Sequence, residues 1–290
     1  MKDHGSITRD GFTLAYQIEG QGKPMLVVGS AMYYPRLFSE ELRNHMQLIF
    51  IDHKGHVQSP PEAKPADYTL DRILDDIEAI REALAIEDFV MAGHSGNAFL
   101  AFEYARKYPE HVQKVALFNT APTNSQERQK QSIAFFDQTA SPERKKTFEQ
   151  DIALLAGDIE KDPKRRFAHM CIRMGAHSFY DYTFDAASLW EGVYTNMPVI
   201  DYLWGDAFGQ CNMIQSLSDI NKPVFIALGR YDYLIGPASL WDSIDESYEH
   251  VRKIVFEHSG HNPMLEEAAA FDSRLIAWID EEVDEAGLPG

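Results

Sequence analysis

Short, continuously apolar runs alternate along this chain with longer segments whose apolar residues recur every three or four positions. Consecutive apolar residues suit a strand covered on both faces, and the 3.6-residue period suits the helices that cover it. The strands expected on this ground are Met25–Val28, Leu48–Asp52, Phe89–Ala92, Lys114–Phe118, Val224–Leu228 and Val251–Phe256. The clearest helix runs from Leu70 to Leu84, with Ile73, Leu74, Ile77 and Ile80 on one face and Asp and Glu on the other. A second helix starts after Ser95 and stops at Lys107, ahead of Pro109, and a third runs from Met264 to about Val283. Ile7–Thr8 and Phe12–Tyr16 flank Asp10-Gly11, a hairpin signal. The expected class is α/β, a mostly parallel central sheet with helices on both faces.

The alternation lapses between Asn119 and Asp219 into helical, aromatic-rich sequence and resumes at Pro223. That pattern reads as one core interrupted by an insertion: residues 1–122 form its first part, 123–212 a helical cap, and 213–290 its second part. Phe167, Phe179, Tyr180, Tyr182, Trp190, Tyr194, Tyr202 and Trp204 give the insertion the apolar bulk to roof a cleft.

Composition narrows the function more than the fold. With 27 Lys+Arg against 45 Asp+Glu the formal net charge is −18, which repels phosphate backbones and anionic lipid headgroups. Nucleic-acid and membrane partners are therefore not expected, and a small-molecule substrate is. Cys171 and Cys211 are too few for a disulfide framework and lack metal-site clustering. With no signal-like apolar stretch and no run of about 18 apolar residues, a cytoplasmic protein is expected. Neither a His-Glu-x-x-His motif nor a glycine-rich nucleotide loop appears, so neither metal nor cofactor is called for.

Gly93-His-Ser95-Gly96-Asn97 lies between the strand Phe89–Ala92 and a helical pattern. A serine on such a sharp turn stands clear of the sheet, where a carbonyl substrate and a base can both reach it. Asn97 replaces the usual final glycine, a residue type that tolerates positive φ better than most. The serine hydroxyl needs a base. His261, in His258-Ser-Gly-His261-Asn-Pro263, follows the last strand and precedes the last helix, with His258 as its rival in the loop. Asp232 follows the strand Val224–Leu228 at the same sheet edge and can fix the imidazole tautomer, with Asp206 or Asp242 as alternatives. Oxyanion donors are expected at the amides of Gly96 and Ala31, with Ser30 as the alternative to Ala31.

With these motifs the chain resembles the α/β-hydrolase superfamily over nearly its whole length. Asp52-His-Lys-Gly-His-Val-Gln-Ser59 resembles the family's Asp-x-Arg-Gly-x-Gly-x-Ser loop, with Lys54 for Arg and Val57 for Gly. Tyr108-Pro-Glu-His-Val112 resembles the segment after the nucleophile helix. Among subfamilies the chain is most similar to the proline-iminopeptidase-like capped hydrolases, but it lacks their His-Gly-Gly-Pro-Gly and Gly-Gly-Ser-Trp-Gly signatures. The resemblance implies a serine hydrolase acting on a small or medium ester, lactone or amide. The alternatives are an aminopeptidase, which would need an acid such as Glu149, Asp181, Glu191 or Asp206 for the substrate amine, and a non-catalytic ligand sensor.

Overall fold

A computed structural model describes residues 2–244 and 248–281. The apolar runs become eight strands of one sheet: β1 (Lys2–Arg9), β2 (Phe12–Gly20), β3 (Lys23–Gly29), β4 (Met46–Asp52), β5 (Phe89–His94), β6 (Val112–Phe118), β7 (Val224–Gly229) and β8 (Val251–Phe256). Their order is β1-β2-β4-β3-β5-β6-β7-β8. The β1–β2 hairpin turns on Asp10 and Gly11, whose φ values of 49° and 79° are those of a tight two-residue turn. β2 meets β4 antiparallel, and every later pairing is parallel.

Alternate residues of each inner strand feed opposite cores, as the two-residue period of a strand requires. On one face Leu26, Val28 and Met91 pack with α2 (Leu70–Ala83) and α3 (Asn97–Lys107). On the other, Met25, Val27 and Val90 pack with α1 (Glu40–His45) and the last helix. A buried position such as Leu26 should cost about 2–5 kcal/mol on truncation to Ala. The chain leaves β3 for β4 on one side and returns through α2 to β5 on the other. Loops diverge at such a switch point and leave a crevice at the carboxyl ends of the strands.

Between β6 and β7 run six helices: α4 (Gln126–Thr139), α5 (Pro142–Ile152), α6 (Leu155–Lys161), α7 (Arg166–Arg173), α8 (Gly175–Ser178) and α9 (Met197–Gly205). They are tied into both cores, Val199 and Leu203 into one and Ala168 and Ile172 into the other. The final helix differs from expectation. It forms as a short turn, α10 (Pro263–Glu266), then α11 (Ala268–Asp280), with a break at Glu267, φ −126° and ψ 48°. The Glu267 side chain faces back to accept bonds from the His258 amide at 2.9 Å and the Ser259 hydroxyl at 2.6 Å. The helix ends at Asp280, with Glu281 already extended at φ −60° and ψ 129°, and the expected end at Val283 lies outside the described residues.

Candidate active site

The turn after β5 is set by close packing of strand against helix. A Cβ on Gly93 would lie 2.4 Å from the Asn97 carbonyl oxygen and 2.7 Å from the Ala98 Cα, so only glycine lets α3 start this near β5. Ser95 pays for the sharpness of the turn with φ of 58°, a conformation that costs a non-glycine residue about 1–3 kcal/mol. Its amide donates to the Phe118 carbonyl at 2.8 Å, which anchors the turn to β6. Asn97 does not take up the positive φ that its residue type allows; it opens α3 with ordinary helical backbone. Its side chain does other work. Nδ2 donates to the Tyr34 hydroxyl at 2.9 Å and Oδ1 accepts from His53 Nε2 at 3.0 Å, where His53 Nδ1 takes the Gly55 amide.

Asp232 is fully buried in the loop after β7. Oδ1 accepts the amides of Leu234 and Ile235 at 3.1 and 3.3 Å, and Oδ2 accepts Asn119 Nδ2 at 2.9 Å and His261 Nδ1 at 2.7 Å. The carboxylate accepts from Nδ1 and so places the imidazole proton there, leaving Nε2 with a free lone pair. His261 is also held by its backbone: its amide donates to the Ser178 carbonyl at 2.5 Å and its carbonyl accepts from His94 Nε2 at 2.7 Å. Burial and the neighbouring His261 ring hold His94 well below the usual imidazole range, so it is a neutral brace. Asn119, at φ 44°, gives its second N–H to the Gly260 carbonyl at 2.8 Å, and so clamps the acid loop to the histidine loop. Sequence reasoning assigned Asn119 no role; its one signal is a polar residue directly after an apolar strand.

The expected rivals are elsewhere. The His258 ring packs on Tyr180, centroids 5.5 Å apart. Asp206 accepts from Gln210, and Asp242 pairs with Lys253 at 2.7 Å. Glu266, from α10, accepts the amides of Gly260 and Asn262 at 3.0 Å and of Tyr180 at 2.6 Å, tying the histidine loop to the insertion. Burial pushes its carboxyl up to about 7.

One expected donor is corrected by the geometry. The Ala31 amide already donates to Asp52 Oδ1 at 2.7 Å, and Ala31 does not line the cavity above the strand ends. Asp52 also takes the Ala15 amide at 3.3 Å, and burial pushes its carboxyl up to about 6. Ser30 does line the cavity, as does Gly96, and among the described residues neither amide has an acceptor. Buried amides without acceptors are rare enough to mark a place where something else accepts.

The cavity, of about 280 Å³, is bounded below by Ser30, Ser95, Gly96 and His261, and above by Phe167, Met174, Trp190 and Trp204 of the insertion. Trp204 comes so close that a Cβ on Gly96 would lie 2.5 Å from its ring. Of the other insertion aromatics, Phe179 lines the cavity, whereas Tyr202 caps the Leu70 amide, Tyr182 stacks on Arg144, and Tyr180 and Tyr194 are exposed. Among the described residues no group of three or more His, Cys, Asp or Glu could hold a metal ion, and no helix is long and apolar enough to cross a membrane.

The chain is 56% identical over 281 residues to the AB hydrolase superfamily protein YclE of Bacillus subtilis, covering 97% of this chain and 100% of that one. An α/β-fold family hydrolase from Bacillus anthracis superposes with a TM-score of 0.69 at 21% identity, covering 96% of this chain and 99% of that one. Proline iminopeptidase from Mycobacterium smegmatis superposes with a TM-score of 0.70 at 18% identity, covering 96% and 97%. Since the family model for the alpha/beta hydrolase fold also matches residues 21–268, the chain belongs to the α/β-hydrolase family.

Proposed function

We propose that the protein cleaves a small or medium ester, lactone or amide through a covalent acyl intermediate on Ser95. The observation that carries this reading is the 2.7 Å bond from His261 Nδ1 to the buried Asp232 carboxylate, with His261 and Ser95 lining one cavity. His261 Nε2 takes the Ser95 proton as Oγ attacks the carbonyl, and returns it to the leaving group when the tetrahedral intermediate collapses. Asp232 stabilises the imidazolium formed in between. Water then repeats the sequence on the acyl-enzyme. The amides of Ser30 and Gly96 receive the oxyanion; in oxyanion holes one such donor contributes about 2.7–4 kcal/mol to the transition state. Residues 123–212 act as the cap, whose apolar underside excludes water and limits substrate size.

An aminopeptidase needs a carboxylate for the substrate amine. Glu149, Asp181, Glu191 and Asp206 all lie off the cavity, and no carboxylate among the described residues lines it. We therefore adopt the ester or lactone reading over the aminopeptidase one. Reaction with a fluorophosphonate tests it: native protein should label at Ser95 and heat-denatured protein should not. Failure of native protein to label, with no turnover of p-nitrophenyl esters, would instead support a ligand sensor.

A further inference from the structure

The cavity wall carries one formal charge among the described residues, and it is positive. Arg128, on α4, lines the cavity beside Leu234 and Ile235. Its guanidinium donates through one Nη to the Leu234 carbonyl at 3.1 Å and through the other to Asn124 Oδ1. Both acceptors are neutral, Nε is buried without an acceptor, and no described carboxylate lies within ion-pair distance. Arg128 is half-buried, and the fully buried arginine of the insertion, Arg144, makes a direct contrast in how its donors are used. Arg144 spends its donors on the carbonyls of Ala176, Phe179 and Tyr180 and lies against the rings of Tyr182, Tyr231 and Tyr233. Arg43, also buried, pairs with Glu19 at 2.6 Å.

A cation taken out of water is costly unless a counter-charge meets it. Asp232 is close enough for its field to act on Arg128, but its two oxygens are occupied by His261, Asn119, Leu234 and Ile235. The other titratable groups of the wall cannot compensate. His56 and His94 are held neutral by burial, and burial pushes the Cys171 thiol up to about 12. What sets Arg128 apart is that its donors are only partly filled at the cavity wall, and a planar guanidinium with spare N–H groups suits a ligand carboxylate.

We infer that the substrate carries a carboxylate that is received by Arg128: a monoester of a short diacid, a carboxylated lactone, or an ester of a short hydroxy acid. The inference rests on the serine-hydrolase reading of the same cavity and adds the substrate's charge. The small cavity and the apolar roof confine the anion to the Arg128 side.

The test compares the wild type, Arg128→Gln and Arg128→Lys on charged and neutral ester pairs, corrected for spontaneous hydrolysis. Mono-p-nitrophenyl glutarate against p-nitrophenyl pentanoate places the carboxylate on the acyl side, and 4-acetoxybenzoate against phenyl acetate places it on the leaving group. In one pair the wild type should favour the anion, and Arg128→Gln should lower the anion-to-neutral ratio of kcat/KM by about tenfold or more, as loss of a charged hydrogen bond does. Arg128→Lys should fall between the two. Equal treatment of anion and neutral ester in both pairs, or an equal loss on both in Arg128→Gln, overturns the inference while leaving the Ser95 chemistry standing. A readout without turnover separates the two failures: glutarate should raise the melting temperature of the wild type and not of Arg128→Gln. If no ester is cleaved and Ser95 does not label, that shift alone decides the anion site, and its absence overturns it.

Discussion

The floor and the roof of the cavity are built on opposite principles. On the floor nearly every polar group is spoken for: Asp232 takes four donors, His261 is held by ring, amide and carbonyl, and Asn119 bridges the two loops. Among the exceptions are the Ser30 and Gly96 amides, the proposed donors to a developing oxyanion, and the side-chain oxygens of Asn119 and Asn262. The roof is carbon-rich, with Phe167, Met174, Trp190 and Trp204, and its one charge among the described residues, Arg128, is incompletely partnered. On the proposed mechanism the floor is preorganised for the reaction, whereas the roof selects the molecule. Changes to the floor should act on kcat whatever the substrate, and changes to the roof should re-rank substrates.

The largest effect is expected from Ser95→Ala, which should lower kcat by about 10³-fold or more and leave the fold intact. His261→Ala should match it, and the double variant should be no worse than either, because the two groups act as one unit. Clearly additive losses would break the view of the floor as a single device. Asp232→Asn comes next. It removes the acceptor that holds the imidazole proton on Nδ1 and should lower kcat by about 10²–10⁴-fold, with slow fluorophosphonate labelling retained. A loss below about threefold would move the acid role to another carboxylate.

Trp204→Ala tests the roof. Opening the space above Gly96 should shift preference toward longer acyl esters by about tenfold in the ratio of kcat/KM, with a smaller change in kcat for the shortest ester. A uniform loss across chain lengths would instead make Trp204 part of the floor.

The smallest effect concerns the tie between the two regions. Burial raises the Glu266 carboxyl from 4.5 to about 7. Below 4.5 the folded and unfolded chains both hold the proton, and between 4.5 and about 7 only the folded chain does. Its contribution therefore lowers stability as pH rises through that window, and the full cost is present above it. In Glu266→Gln this part of the slope should vanish. Asp52, raised to about 6, acts with the same sign in both proteins and cancels in the difference. Urea midpoints at about pH 5 and about pH 8 check it; identical slopes would show that Glu266 does not titrate differently on folding.

The inner strands could be read along the chain because an apolar run covered on both faces leaves an uninterrupted local trace. Ser95, Asp232 and His261 could be nominated together for a topological reason: each follows a strand of a parallel sheet, and such loops meet at one edge. The proposed second oxyanion donor was harder. Ala31 and Ser30 differ by one residue, and the choice turned on Asp52, 21 positions from Ala31, capturing the Ala31 amide. Asn97 was read for its backbone tolerance, whereas the fold uses its side chain between Tyr34 and His53.

By itself, then, the sequence determined the strand-helix alternation, the helical insertion and the three loops after strands that carry Ser95, Asp232 and His261, because periodicity and turn chemistry act between near neighbours. Only the tertiary structure decided which amides remain without acceptors, that Asn119 clamps two loops, and that Arg128 is the charge left in the cavity wall. Those are matters of which group finds a partner across the fold. Such partners are set by distance in space between residues far apart in the chain, for which local sequence carries no record.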